Sequence, residues 1–454
     1  MEYPGTKFTR PIRLAMLILF IVAFFVISPL IILYTAGYRY DWQNGLLKET
    51  GSISIDIEPR NATASLNGIK LQKDLPIRLN NITPGKYNLH LTASGYMDWF
   101  KEIEVKNKQT NYIKEISLIK KTKAEIIITD RIEDFSVSPN GSSLIYTVPS
   151  TTNLDFWMLH TASQEKNHIA NMPSIDKPSF VWATNNNFVA IVSSKKPYTE
   201  ITIIDTENQT RKIKSIKQNT PIEKINWNNS TEPQLYYSTK ENIYVYYPLT
   251  DKTQIATANI YIDWQIYDGQ LWTIQPEKSS QTYVATKDTL GFKSIAGKLD
   301  QKNFLSNNTQ QNNEKPLEIL DARANTLLIK NKIDQKMILV HNQTTHTINA
   351  EKFLVSPYNN WWLFWSQWEL WTYSEGDEPR LLNRSGEQLQ QVLPLDSHNT
   401  LALIWNERNT VLFPYYLVTH ELVTEKIKAA LTDTTGKVLY FTSKNTNGIW
   451  KANY

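Results

Sequence analysis

The sequence predicts a mostly β protein with three parts: a single N-terminal transmembrane helix, a small β-sandwich, and a β-propeller of seven or eight blades. Three observations carry this prediction. Residues 14–37 form an uncharged, apolar run. Residues 51–119 alternate apolar and polar side chains between turn residues. Residues 120–454 repeat one strand–turn–strand pattern.

Composition fits a folded chain with room for more than one domain. The 454 residues correspond to two or three domains of ordinary size. Hydrophobic residues make up 41% and charged residues 20%, a balance that excludes intrinsic disorder. The 48 basic and 44 acidic residues are interspersed, so no basic stripe points to nucleic acid. Cysteine is absent, which excludes disulfides, thiol nucleophiles and thiolate metal sites without fixing a compartment. The 23 tyrosines and 14 tryptophans suit strands.

The first element is the membrane segment. Leu14 to Tyr34 carries no charge. At a rise of about 1.5 Å per residue, such a run crosses a hydrocarbon core of about 30 Å. Lys7, Arg10 and Arg13 precede it, and Arg39 and Asp41 follow. The excess of positive charge before the span places residues 1–13 in the cytoplasm and everything after Tyr38 outside. Tyr34, Tyr38, Tyr40 and Trp42 fit an interfacial aromatic belt, and Pro29 is tolerated inside a membrane helix. A cleaved signal peptide is the rival reading, with Thr35-Ala36-Gly37 as a weak cleavage site. Its apolar core would span only about 7–15 residues, so the length favours a retained anchor. Residues 38–50 read as a linker.

Next come half-buried strands. Ile53, Ile55 and Ile57 alternate with Ser52, Ser54 and Asp56; Tyr87, Leu89 and Leu91, and then Ile103 and Val105, continue the period of two. Pro59-Arg60-Asn61, Asn67-Gly68, Pro84-Gly85 and Ser94-Gly95 mark turns. A compact antiparallel sandwich over 51–119 is expected. These residues resemble the PEGA domain. Pro59-Arg60-Asn61-Ala62 stands where that family carries Pro-Glu-Gly-Ala, and the Asn67-Gly68 turn, Leu75-Pro76-Ile77, Pro84-Gly85-Lys86-Tyr87 and Gly95-Tyr96 follow in the family's order. Arg60 replaces the Glu and Asn61 the Gly. Asn tolerates the left-handed backbone that Gly would supply, so the turn is expected to persist. The resemblance implies an extracytoplasmic spacer or adhesion module, not catalysis.

From 120 on, a short apolar strand leads through a polar turn into a second apolar strand. Phe135-Ser-Val-Ser-Pro139-Asn-Gly141 with Leu144 is the clearest copy, and Phe353-Leu-Val-Ser-Pro357 with Trp361 repeats it. The second strands start at Leu144, Phe188, Leu235, Leu271, Leu327, Trp361, Leu401 and Val438. Their spacing averages about 40–45 residues, the length of a four-stranded propeller blade. The pattern resembles a divergent WD-like β-propeller, and Ile126-Ile-Ile128 is placed to pair with the last unit and close the ring. Two separate β-sandwiches are the alternative.

No local motif for chemistry is present. The seven histidines form no His-Glu-x-x-His. His341 and His346 are read as a loop or strand end, not as chelators. Phosphate-binding loops and a Gly-x-Ser-x-Gly elbow are also missing. The reading assigns no catalytic residue, metal or cofactor. The most unusual cluster is Trp361, Trp362, Trp365, Trp368 and Trp371. Alternation splits it between core and surface, so its exposed members are candidate contacts for a sugar or a protein. The expected function is a membrane-anchored, cell-surface binding or scaffold protein, not an enzyme. Its partners are the membrane, through the helix, and a protein or cell-wall glycan. A hydrolase or lyase in the propeller channel and a scaffold subunit of an envelope complex are the alternatives.

Overall fold

The computed structural model describes residues 10–35, 37–41, 45–121, 123–173, 179–183, 188–195, 198–206, 211–218, 220–228, 232–258, 260–276, 282–289, 292–300, 316–323, 325–341, 344–358, 361–433 and 437–454. They fall into two compact units, one ending at Lys121 and the other running to Tyr454.

The first unit opens with helix α1 (Arg10–Thr35). Residues Pro11–Thr35 are long and apolar enough to cross a membrane, and none of that stretch is buried in the protein. The segment after it is no loose linker. Strands β1 (Tyr38–Asp41) and β2 (Leu46–Glu49) pair as an antiparallel hairpin. Its base is fastened on both sides: the Thr50 amide donates to the Gly37 carbonyl at 2.9 Å, and the Lys108 amide to the Thr50 carbonyl at 3.0 Å.

The PEGA-like module follows as two facing sheets. Strands β3 (Gly51–Glu58), β4 (Thr63–Leu66), β5 (Ile69–Lys70), β6 (Ile77–Ile82), β7 (Gly85–Thr92), β8 (Trp99–Val105) and β9 (Thr110–Ser117) assemble in the orders β6-β3-β9 and β5-β4-β7-β8. The alternation does what period two demands. Ile53, Ile55 and Ile57 face inward with Leu89, Leu91, Trp99, Ile103 and Val105. Each buried aliphatic side chain contributes roughly 1.5–3 kcal/mol. Two expectations need correction. The sandwich is not wholly antiparallel: β3 and β9 pair parallel. They are the first and last strands of the module, and the chain crosses the opposite sheet between them, which brings β9 back in the same direction. Asn61 does not take the left-handed conformation. The turn is closed instead by the Ala62 amide on the Pro59 carbonyl at 2.9 Å.

Among the described residues, the second unit forms a ring of eight four-stranded sheets. In chain order, blades 1 to 7 span 135–173, 179–218, 224–258, 263–300, 317–348, 352–384 and 389–421. Blade 8 takes three strands from 427–453 and its fourth from Glu125–Ile128. Ile126 stands opposite Trp450, so the predicted closing strand does close the ring. Each blade is a meander whose first strand lies nearest the axis, since first strands of neighbouring blades contact one another. The second and third strands carry the core; in blade 7, Leu401–Trp405 and Asn409–Phe413 are buried throughout. Fourth strands such as Lys252–Ala258 face solvent.

The strands on either side of the polar turn read in the sequence are closed by the same backbone hydrogen bond in four blades. The amides of Ser138, Ala183, Ser356 and Leu395 each donate to a carbonyl five residues on, at 2.8, 2.9, 2.8 and 2.8 Å. Short polar side chains hold this turn: Asn140 Oδ1 accepts the Ser142 amide at 3.0 Å, and Asp396 Oδ1 accepts the Thr400 amide at 3.0 Å. Gly141 adds a steric reason. Its φ is +71°, and a Cβ there would collide with the carboxyl of Asp433 in blade 8. Apolar clusters then stitch the blades, the last to the first through Ile128, Phe135, Tyr146, Tyr440 and Ile449.

Candidate functional site

The axis-facing strands of blades 6, 7 and 8 line an open pocket of about 550 Å³. Lys352 begins the inner strand of blade 6, Gln390 and Gln391 lie near the start of that of blade 7, and Lys428 lies on that of blade 8. Register carries Trp365 there too, because it pairs with Lys352. The Lys352 ammonium donates to the Gln390 carbonyl at 2.8 Å. Gln391 is spent on structure: its amide nitrogen donates to the Ala430 carbonyl at 2.7 Å, and its amide oxygen accepts the Ala430 N–H at 3.1 Å. Lys428 is exposed and makes no hydrogen bond or ion pair among the described residues. The lining contains two ammonium groups and no carboxylate. Such a cavity favours an anion.

The five tryptophans divide between interior and rim. Trp362 and Trp365 are buried on the second strand of blade 6, Trp362 stacked on Phe364 with centroids 6.3 Å apart. Trp361 and Trp371 are half-buried against the cores on either side. The Trp371 indole N–H donates to Glu369 at 3.0 Å. Trp368 is the most open of the five, at 46% exposure, in the hairpin between the second and third strands. Of the five, Trp368 on the rim offers an open surface, while Trp365 backs the pocket from within the core.

Charge pairs lie at the same end of the blades as Trp368, where the second-to-third-strand hairpins and the blade-to-blade connections meet. Arg384 pairs with Glu369 at 2.6 Å, Arg408 with Glu387 at 2.7 Å and Lys426 with Glu407 at 2.5 Å. The Trp371 indole and then Arg384 hold the Glu369 carboxyl below the usual glutamate range. Lys426 does the same for Glu407. Each pair is mostly solvated and contributes little to stability.

A second charge group lies on the inner strands of blades 3, 4 and 5. The Lys224 ammonium donates to Asp263 Oδ2 at 2.8 Å and to the Ile319 carbonyl at 2.7 Å. Asp263 Oδ2 also accepts the Ile319 amide at 2.6 Å. Burial pulls the Lys224 pKa down, against the opposing pull of Asp263. This group joins three blades, and its bonds run between their inner strands. His341 and His346 go to separate acids, Glu375 at 3.4 Å and Glu378 at 3.2 Å. Among the described residues, no group of three or more metal-ligating side chains gathers.

Sequence reasoning missed Lys352, Gln390 and Lys428. A signal existed: a lysine stands at or next to the start of the inner strand in blades 3, 6 and 8. It becomes visible only when the repeats are aligned on their first strands.

Residues 50–119 match the PEGA domain family. No curated protein matches the chain. Solved structures similar to it include the WD40 domain of SCAP from fission yeast, at 10% identity and a TM-score of 0.44, covering 73% of this chain and 94% of that one. The propeller domain of the trilobed protease from Pyrococcus furiosus is similar at 8% identity and a TM-score of 0.40, covering 65% of this chain and 98% of that one. The class of protein is thus a PEGA domain followed by a β-propeller, with the ring defined by its own sheet order and closure.

Proposed function

We propose that this protein is a single-pass, membrane-anchored binding protein. Its N-terminus is cytoplasmic, and its PEGA domain and propeller lie outside as a spacer and an interaction platform for an acidic protein or glycan. The role is binding and not catalysis. The observation that carries this reading is the pocket on blades 6 to 8, where Lys352 and Lys428 offer positive charge without a carboxylate. Lysines of this kind attract and orient an anionic partner, and the exposed Trp368 on the rim of blade 6 suits sugar or peptide stacking.

Two measurements test it. Protease added to intact spheroplasts removes a C-terminal tag while a cytoplasmic control survives; a protected tag would reverse the orientation. In detergent, the full chain binds polygalacturonate or polyglutamate saturably. The Lys352→Glu/Lys428→Glu variant binds them at least about tenfold more weakly, as expected for losing complementary charge. Equal binding by the two proteins would remove this cavity from the reading.

A further inference from the structure

The first unit holds a second cavity, of about 480 Å³, where α1 ends against the PEGA domain. Its wall begins with Tyr34 and Thr35, the last residues of the apolar helix, and continues into Arg39, Asn81, Lys108 and Gln109. Thr50, Ser52 and Thr110 add hydroxyls, and no carboxylate lines it. Its position is set by the covalent chain. If α1 spans a bilayer, its final residues lie where hydrocarbon gives way to headgroups, so this cavity opens at headgroup depth.

Arg39 is held rigidly there. Its Nε donates to Asn81 Oδ1 at 2.7 Å. Its Nη1 donates to the Tyr34 and Tyr38 carbonyls, both at 2.7 Å. The guanidinium carbon lies 3.7 Å from the centre of the Tyr34 ring. These bonds consume Nε and Nη1; Nη2 has no acceptor among the described residues. Lys108 is more occupied. It pairs with Glu49 at 2.9 Å and donates to the Tyr38 hydroxyl at 3.0 Å. Arg39 therefore keeps both Nη2 donors, against one left on Lys108, and holds them oriented before any ligand arrives; guanidinium is well suited to phosphate. Close packing fixes the opposite wall, since a Cβ on Gly51 would come within 2.5 Å of the Lys106 carbonyl.

We propose that this cavity binds the phosphate of a lipid headgroup, with the spare Nη2 donors of Arg39 as its principal contact and the one hydroxyl proton left over by the Ser52–Thr110 pair beside it, the Thr50 hydroxyl being spent on the Gly37 carbonyl. The inference rests on the reading of α1 as a membrane anchor. A bound headgroup would fix the base of the PEGA domain to the bilayer surface, adding to the tether a contact that the helix alone does not make.

The test titrates full-length protein in dodecyl maltoside with dioctanoyl phosphatidylglycerol, read by native mass spectrometry. One lipid binds saturably. Arg39→Gln weakens it by at least about tenfold, the loss expected for one charge-assisted hydrogen bond. Because Arg39 also braces the helix end, Gln109→Glu serves as the second variant. Its side chain is exposed and makes no hydrogen bond among the described residues, so it adds a repelling carboxylate without disturbing the fold. It weakens binding to a similar degree. Binding that both variants leave unchanged, or that does not saturate, overturns the assignment. Displacement of the lipid by equimolar inorganic phosphate overturns the lipid and leaves a free-phosphate site. Carbonate extraction separates the two layers of the argument. Release of the wild-type chain from membranes overturns the anchor and the lipid assignment together, whereas retention with variant-insensitive binding overturns the assignment alone.

Discussion

Deleting residues 427–454 unfolds the whole ring and not one blade. The segment supplies three of the four strands of blade 8. It buries Ile427, Leu439, Phe441 and Ile449, each at 2% exposure or less. Those four side chains alone are worth about 6–12 kcal/mol of burial. A whole domain is stable by only about 5–15 kcal/mol. The loss also propagates. Glu125–Ile128 is left without a partner strand, Gly141 loses the Asp433 contact, and Gln391 loses the Ala430 backbone. Blades 1 and 7 then expose the apolar faces that packed on blade 8, and such patches promote aggregation. The measurement is far-ultraviolet circular dichroism during heating of the full and truncated chains. The truncated chain shows no cooperative transition from the ring and is found in inclusion bodies. A truncated protein that melts cooperatively within a few degrees of the parent would mean that blades fold independently, and the closed-ring account would fail.

The sequence made the repeat legible because the repeat is a local matter. Each unit needs an apolar strand, a polar turn and a second apolar strand, and all three lie within about fifteen residues. Hence the second strands begin within one residue of where the spacing puts them, from Leu144 in Ser143–Pro149 to Val438 in Val438–Ser443. The closing strand was legible for another reason: Ile126 to Ile128 is an apolar strand with no partner in its own neighbourhood. What escaped was everything that depends on juxtaposition. The hairpin at 38–49 looks like a linker because Arg39, Lys48 and Glu49 hide its short strands, and its anchors at Thr50 and Lys108 are set by the tertiary fold. The parallel pairing of β3 with β9 depends on the path through the second sheet, which no periodicity encodes. The cavity lysines at 352 and 428 lie 76 residues apart in sequence and meet only because blades 6 and 8 flank blade 7. The tryptophans, by contrast, advertise themselves by type alone, and type does not distinguish the buried Trp362 from the exposed Trp368.

The Lys224–Asp263 pair offers the second large effect. It ties inner strands of blades 3, 4 and 5, so removing one partner strands the others. Asp263→Ala leaves the Lys224 ammonium with only the Ile319 carbonyl, and the Ile319 amide with no acceptor. The side chains are 19% and 14% exposed, so channel water relieves part of the penalty. The cost falls at roughly 2–4 kcal/mol, between that of a fully buried and a surface pair. Lys224→Met costs less, because Asp263 retains the Ile319 amide and no cation is stranded. The double variant Lys224→Met/Asp263→Ala is less destabilised than the two single effects added together, by about 1–3 kcal/mol of coupling. Titration gives an independent readout. Burial lowers the Lys224 pKa below that of the unfolded chain, and removing Asp263 takes away the charge that opposes this shift. Between the folded and unfolded pKa values the unfolded chain binds more protons, so stability rises with pH through that window. The deficit of Asp263→Ala therefore narrows as pH is raised from neutrality toward the ordinary lysine range near about 10.4. Urea unfolding of the four proteins of the cycle, at neutral and alkaline pH, measures both effects. Additive single costs, or a deficit that stays constant with pH, would mean that the two side chains are spectators and that apolar packing alone holds these three blades together.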